Sequence, residues 1–248
     1  MPSFLRAALP AALLASAFFS ASARADTVLE TETAELGTKG EWLISNSLQW
    51  ERAPGGRSQF TLFQYEYAFS DRAELLIEPF FQEWGQPKDG PHFHGAGDLE
   101  ITPSYMVSLE GERAPAVVLA LKIKVPTARN PEIGTQKYDY YPYVILGKHA
   151  GNWIFNANFG IDFVGRVDGE DLRNQGIWDF SAERVVSKKL SLYAEVFGNT
   201  SPAPGEKATV AGAVAMEYQV GPHFNWFVST GYDSNQLFNI RPGFNIHF

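Results

Sequence analysis

The residues best placed to do chemistry are charged side chains that recur on alternate positions of apolar segments. Glu66, Glu74, Glu78, Asp98, Glu100, Asp139, Asp162, Asp179, Glu183, Glu195 and Glu217 fall on one parity of their segments, with Lys122, Lys124, Arg166 and Arg241 on the same side. Aromatic and aliphatic residues hold the opposite parity. Carboxylates and a few bases gathered on one face of a sheet can select solutes by charge, as charged rings do in channels. They are not spaced for covalent catalysis. A hydrolase needs a nucleophile and a base within hydrogen-bond reach, and the five histidines, His92, His94, His149, His223 and His247, show no triad arrangement with a serine. His92 and His94, with Asp89 nearby, form an incomplete metal-ligand set, and solvated loop histidines are the plainer reading. We therefore expect no catalytic residue, metal or cofactor.

Period two is the pattern that must position these groups. Trp42, Ile44, Leu48 and Trp50 share one face, with Ser45, Ser47 and Gln49 on the other. Thr61, Phe63, Tyr65, Tyr67 and Phe69 oppose Gln64 and Glu66, and Ala73, Leu75, Ile77, Pro79 and Phe81 oppose Glu74, Glu78 and Gln82. Leu99, Ile101, Tyr105, Val107 and Leu109 face away from Asp98, Glu100, Thr102, Ser104 and Ser108. The apolar positions of residues 117–125 face away from Lys122 and Lys124. Similar segments near 136–147, 153–163, 176–186, 190–198, 208–218, 222–232 and 236–248 bring the count to about twelve, an even number of the kind single-chain outer-membrane barrels use. Connections alternate between tight turns, such as Ser70-Asp71-Arg72 and Ser187-Lys188-Lys189, and mostly longer loops rich in Gly, Pro and Asp. That alternation suits a barrel with one turn-bearing and one loop-bearing rim.

Composition agrees. The chain has 248 residues, 19 Phe, 10 Tyr, 6 Trp and no Cys, with a mean hydropathy of −0.18. No disulfide, thiolate site or lipid-modified N-terminal cysteine is possible. Arg6, the apolar run Ala7 to Phe19 and Ala23-Arg24-Ala25 read as a cleaved signal peptide over residues 1–25. Its removal takes the net charge from −8 to −10 by loss of Arg6 and Arg24, an acidity that argues against nucleic acid. Residues 26–40 read as a periplasmic N-terminal segment and 41–248 as the barrel. The final strand carries Phe238, Ile240, Phe244, Ile246 and Phe248 on one face, similar to the C-terminal signal read by barrel-insertion machinery. Pro79, Pro103, Pro142 and Pro242 fall inside proposed strands, where each removes a ladder donor, so bulges or frayed rims are expected there. The six Trp and outward Tyr residues suit interfacial girdles; packing under loops is the alternative for any one of them.

The motifs also resemble a known family, the outer-membrane barrels assigned to transport in the meta-pathway of phenol degradation. The similarity rests on SDRAEL at Ser70 to Leu75, GAGDLEITPSY at Gly95 to Tyr105, LALKIKVPTA at Leu119 to Ala128, NANFGIDFVG at Asn156 to Gly165 and LYAEVFGNTSP at Leu192 to Pro202. The family usually carries Pro-Thr-Gly and Gly-x-Gly in one loop; here those positions read Pro126-Thr127-Ala128 and Gly134-Thr135-Gln136.

The expected fold is all-β: a transmembrane antiparallel up-and-down barrel of about twelve strands, with outer-membrane lipid around it. Such a barrel has a backbone diameter on the order of 25 Å. The expected function is a channel or transporter for passive uptake of small solutes, aromatic or hydrophobic ones included. A closed structural or surface-interaction barrel and an outer-membrane hydrolase are the alternatives. If Glu110-Gly111-Glu112 is a turn, Asp98 faces Lys124 and Glu100 faces Lys122 across a ladder. Such pairs either select ions or only neutralise one another. The acid excess predicts preference for cations or neutral solutes over anions.

Overall fold

The structure, a computed structural model, describes residues 28–248, and of Phe80 and Phe81 the backbone alone. The signal peptide expected at residues 1–25 lies outside the described residues. The strands are β1 (Trp42–Ala53), β2 (Gly56–Ser70), β3 (Ala73–Pro87), β4 (Phe93–Gly95), β5 (Leu99–Ser108), β6 (Ala116–Val125), β7 (Asp139–Ala150), β8 (Trp153–Asp162), β9 (Gln175–Ser187), β10 (Leu190–Asn199), β11 (Thr209–Gly221), β12 (Phe224–Asp233) and β13 (Phe238–His247).

Successive strands pair antiparallel, and β1 pairs with β13, so the sheet closes on itself. The short β4 and the long β5 lie along β3 in one unbroken register: Glu83 faces Gly95 and Pro79 faces Leu99. They are two ends of one ladder, open across three residues, and the barrel has twelve strands. Among the described residues no helix is long and apolar enough to cross a membrane. The closed ladders of the sheet leave no edge, which is how strands satisfy their backbone in hydrocarbon.

The alternation read from sequence sets the two faces. Outward positions such as Val214, 56% exposed, Leu119 and Phe155 form an apolar exterior. Trp42, Trp153 and Trp226 stand at strand ends beside the tight turns, and Trp50, Trp84 and Trp178 stand towards the loops. The six indoles thus fall into two belts, as at the two interfaces of a bilayer. Cross-strand rings reinforce them: Trp42 lies 4.5 Å from Tyr67, and the Arg184 guanidinium sits 4.9 Å over Trp153.

Of the bulges or frayed rims expected at the prolines, a bulge adjoins Pro79 alone. Each proline opens a two-residue gap in one neighbouring ladder and leaves the register unchanged across it. Pairing of β5 with β6 skips from Ile101 to Ser104 across Pro103, and pairing of β1 with β13 skips Arg241 and Pro242. The ladder of β7 with β8 starts only after Pro142, and that of β2 with β3 lapses at Pro79. A missing N–H removes bonds on one side only, which explains the one-sided gaps. One register shift, Thr61/Leu62, adjoins the gap at Pro79; the others, Ala68/Ser70, Met106/Ser108, Leu190/Ser191 and Gln219/Gly221, lie apart from the prolines. The shift at Thr61/Leu62 inverts the parity of β3. Gln82, expected to face inward, is exposed, and Glu83 is buried in its place.

The segment expected at 26–40 in the periplasm is described from residue 28; its residues 28–37 enter the barrel, and Thr38, Lys39 and Gly40 lie exposed at the turn rim. Val28 is 0% and Thr31 1% exposed, and Leu29, Glu32 and Ala34 are buried with them. Val28 and Leu29 pack on Tyr193, Ala215 and Phe227. Ala34 and Leu36 pack on Met106, Val118, Tyr143 and Ile145 of the opposite wall. The segment is a plug that spans the bore.

If the outward row meets hydrocarbon, Val214→Arg should cost about 2–4 kcal/mol in urea unfolding from lipid vesicles, whereas Asp168→Arg in the exposed loop should cost nothing measurable. Equal, small effects at both positions would contradict the assignment of faces.

A plugged, charged lumen as the candidate functional site

Every strand contributes alternate side chains to the bore, so the site follows from parity. Glu66, Glu74, Glu78, Glu100, Lys124, Asp139, Asp162, Asp179, Glu195 and Arg241 are buried within it, as is Asp98 just before β5. Lys122 and Glu183 are half-buried. Glu217 also points inward and accepts from Tyr193 Oη, Asn225 and Asn245. Arg166 departs from expectation and sits exposed in the β8–β9 loop.

Two lysines organise the wall of β3, β5, β6 and β7. Lys122 Nζ lies 3.4 Å from both Glu78 and Glu100. Lys124 contacts Asp139, lies 3.9 Å from Asp98 and donates to Thr135 Oγ1 at 2.9 Å. The expected direct opposition is two residues out: Glu100 faces Lys124. The cause is local: the connection after β5 runs over residues 109–115 and not a three-residue turn, which displaces the pairing by three residues, and the slip at Met106/Ser108 takes one back. Lys122–Glu100 and Lys124–Asp98 still meet, diagonally rather than straight across.

Much of the remaining polar lining holds the plug. Glu195 accepts from the backbone N–H groups of Glu30 and Thr31 and from Thr31 Oγ1, all at 2.9–3.1 Å. Arg241, 3% exposed, pairs with Glu30 at 3.1 Å. Asn158, with its amide nitrogen towards the Glu32 carbonyl, donates to it at 2.9 Å and accepts from the Glu32 N–H. Asn156 Oδ1 accepts from Ala34 N–H at 3.2 Å, and Glu74 accepts from Gly37 N–H at 3.0 Å. Polar wall side chains thus receive the amides of Glu30, Thr31, Glu32, Ala34 and Gly37, which have no neighbouring strand to pair with,.

The loop end is drawn inward in the same manner. Asp98 Oδ1 accepts from Ala128 N–H at 2.8 Å, Asp139 Oδ1 accepts from Gly165 N–H at 2.7 Å, and Phe93, Ala128 and Ile133 pack together. Sequence reading missed Glu30, Thr31 and Glu32 of the plug, and Glu51 and Glu83 of the wall. Extending the parity of β1 by one step beyond Gln49 reaches Glu51, which binds Gln49 and Ser58. His92 makes a ring contact with Trp84, His94 lies in β4, and His149, His223 and His247 are spread along the turn rim.

The family profile described as "Putative MetA-pathway of phenol degradation" matches residues 73–244. The chain belongs to this family. No curated protein sequence matches it. Among solved structures it is similar to the COG4313 outer membrane channel from Pseudomonas putida F1. The TM-score is 0.70 and the identity 13%, over 87% of this chain and 98% of that one. It is similar to the NanC porin (TM-score 0.59, 11% identity, 82% and 98% covered) and to the KdgM porin in complex with disordered oligogalacturonate (TM-score 0.57, 14% identity, 82% and 99% covered). These likenesses are of fold.

The departure from the family's Gly-x-Gly has a visible consequence. Gln136 stands at φ +57°, a left-handed conformation that favours glycine,. Gln136→Gly should therefore stabilise the barrel by about 1 kcal/mol, read as a rise in denaturation midpoint. Lys122→Ala should do the reverse and cost about 3 kcal/mol or more, because it leaves Glu78 and Glu100 buried around a vacated cation.

Proposed function

We propose that the protein is an outer-membrane channel for passive uptake of small solutes, closed at rest by residues 28–37. The observation that carries this reading is a closed barrel whose bore is lined with polar side chains and crossed by a segment that those side chains hold. A purely structural barrel has no need of a wet interior, since lipid touches only the outward row. The plug covers two apolar patches of the inner wall, one at Tyr193 and Phe227 and one at Met106, Val118 and Ile145. Its withdrawal bares them, which favours aromatic or hydrophobic solutes that slide from patch to patch. The acid excess of the lining disfavours anions. Among the described residues the histidines are scattered and none pairs with a serine in the bore, which favours a non-catalytic role. The apolar C-terminal face ending at Phe248 supports recognition by barrel-insertion machinery, with export through a cleaved leader.

The plug also favours a second reading, a permanently shut barrel with no flux. Planar-bilayer conductance separates the two. Glu195→Ala removes the acceptor for the plug's Glu30 and Thr31 and should raise open probability several-fold over the parent protein. Silence in both would establish the shut barrel. In the same recordings the parent should be cation-selective, and Lys122→Ala and Lys124→Ala should be more so. Unchanged reversal potentials would remove the lysine wall from selectivity.

A further inference from the structure

At the turn end the plug meets one side chain whose geometry depends on its charge. His149, near the end of β7, lies between two carboxylates from different elements. Its Nε2 is 2.8 Å from Glu35 Oε1 on the plug, and its Nδ1 is 2.6 Å from Glu110 Oε2 in the β5–β6 connection. An imidazole donates from both nitrogens only when doubly protonated; the neutral ring must turn a lone pair towards one of the two carboxylates. We infer that His149 is a pH-sensitive latch, which fastens the plug to the rim when charged and releases Glu35 when neutral.

The other charges around the ring fix the direction. Lys148, next on the same strand, lies 2.7 Å from Glu110 Oε1 and donates to the Gly111 and Glu112 carbonyls, and the His149 N–H also donates to Glu110. Lys148 and His149 together hold the Glu110 carboxyl down to about 2, so Glu110 stays anionic over any pH at which the protein works. Glu183 of β9 bears electrostatically on Glu35. On β8 the residue opposite His149 is Ile154, which is uncharged. Once the imidazole loses its proton, Glu35 loses its charged donor and is left with the carboxylate of Glu183, while Glu110 stays paired with Lys148, so the attraction that held the plug at this point is gone. The latch is therefore fastened at low pH and released as pH rises through the histidine range.

The latch acts on plug attachment, so its test does not require the pore to conduct. Hydrogen exchange of residues 28–37 in the membrane-embedded protein, corrected for intrinsic rates, is followed from about pH 6 to about pH 9, which brackets imidazole titration. The parent should lose protection by a factor of about three to five across this range, the worth of one half-exposed ion pair,. His149→Gln and Glu35→Gln should show weakly protected plugs with no pH step. His149→Arg, charged throughout, should hold the plug at every pH. A parent without the step, or a step that persists in Glu35→Gln, overturns the inference. Glu35 lies on the plug rather than in the barrel wall, so the test stands even if substitutions at His149 disturb folding.

Discussion

Backbone amides in hydrocarbon have no water to turn to, and the demand that each find a partner governs this molecule. Pairing of β1 with β13 meets it by removing both sheet edges, from Leu43 opposite His247 to Arg52 opposite Phe238. Closure has a second effect, because it creates an inside. Alternate side chains that would be solvent-exposed on an open sheet are gathered into one bore, where charges must be paired or wet. The four strand prolines show how much irregularity the closed ladder absorbs. Each breaks a neighbouring ladder for two residues, and the register resumes unchanged beyond it.

The bore answers its own charge problem in two ways. On the β3–β7 side, Lys122 and Lys124 sit among four carboxylates, each lysine shared between two partners. Carboxylates also serve as acceptors for backbone: Glu195, Glu74, and the lysine partners Asp98 and Asp139 each receive an N–H from a segment folded into the lumen. The plug and the inward loops thus belong to the electrostatic design of the wall. Contacts of this type are individually modest and bridge a segment with little regular structure of its own. They suit a part that stays in place but can be let go.

How much was legible in the sequence follows from which forces are local. Lipid on one face and charge on the other impose strict alternation, so strand identity, strand number and nearly every inward carboxylate could be read directly. The exceptions sit where one residue is added to a ladder. The shift at Thr61/Leu62 exchanged Gln82 for Glu83, and the wide connection over residues 109–115, only partly offset by the slip at Met106/Ser108, moved Glu100 from Lys122 to Lys124. A periodicity argument has no means of seeing a bulge. The plug was invisible for another reason. Its contacts join residues far apart in sequence, Glu30 to Arg241 across 211 positions and Thr31 to Glu195 across 164. Its own composition, Val-Leu-Glu-Thr-Glu-Thr-Ala, has no period that points to a barrel interior.

Occupation of the bore by residues 28–37 is the claim on which gating and the latch both stand, and disulfide trapping tests it directly. A Cβ added at Gly147 on the barrel wall would stand 2.6 Å from Ala34 Cβ on the plug, nearer than bridged cysteines need and within reach of a small adjustment. The chain has no cysteine of its own, so Ala34→Cys with Gly147→Cys gives one defined pair. Near-complete intramolecular bridging is expected on mild oxidation of the protein in outer-membrane lipid. Two thiols that stay free under oxidant, and both react with a water-soluble maleimide, would place the segment outside the barrel.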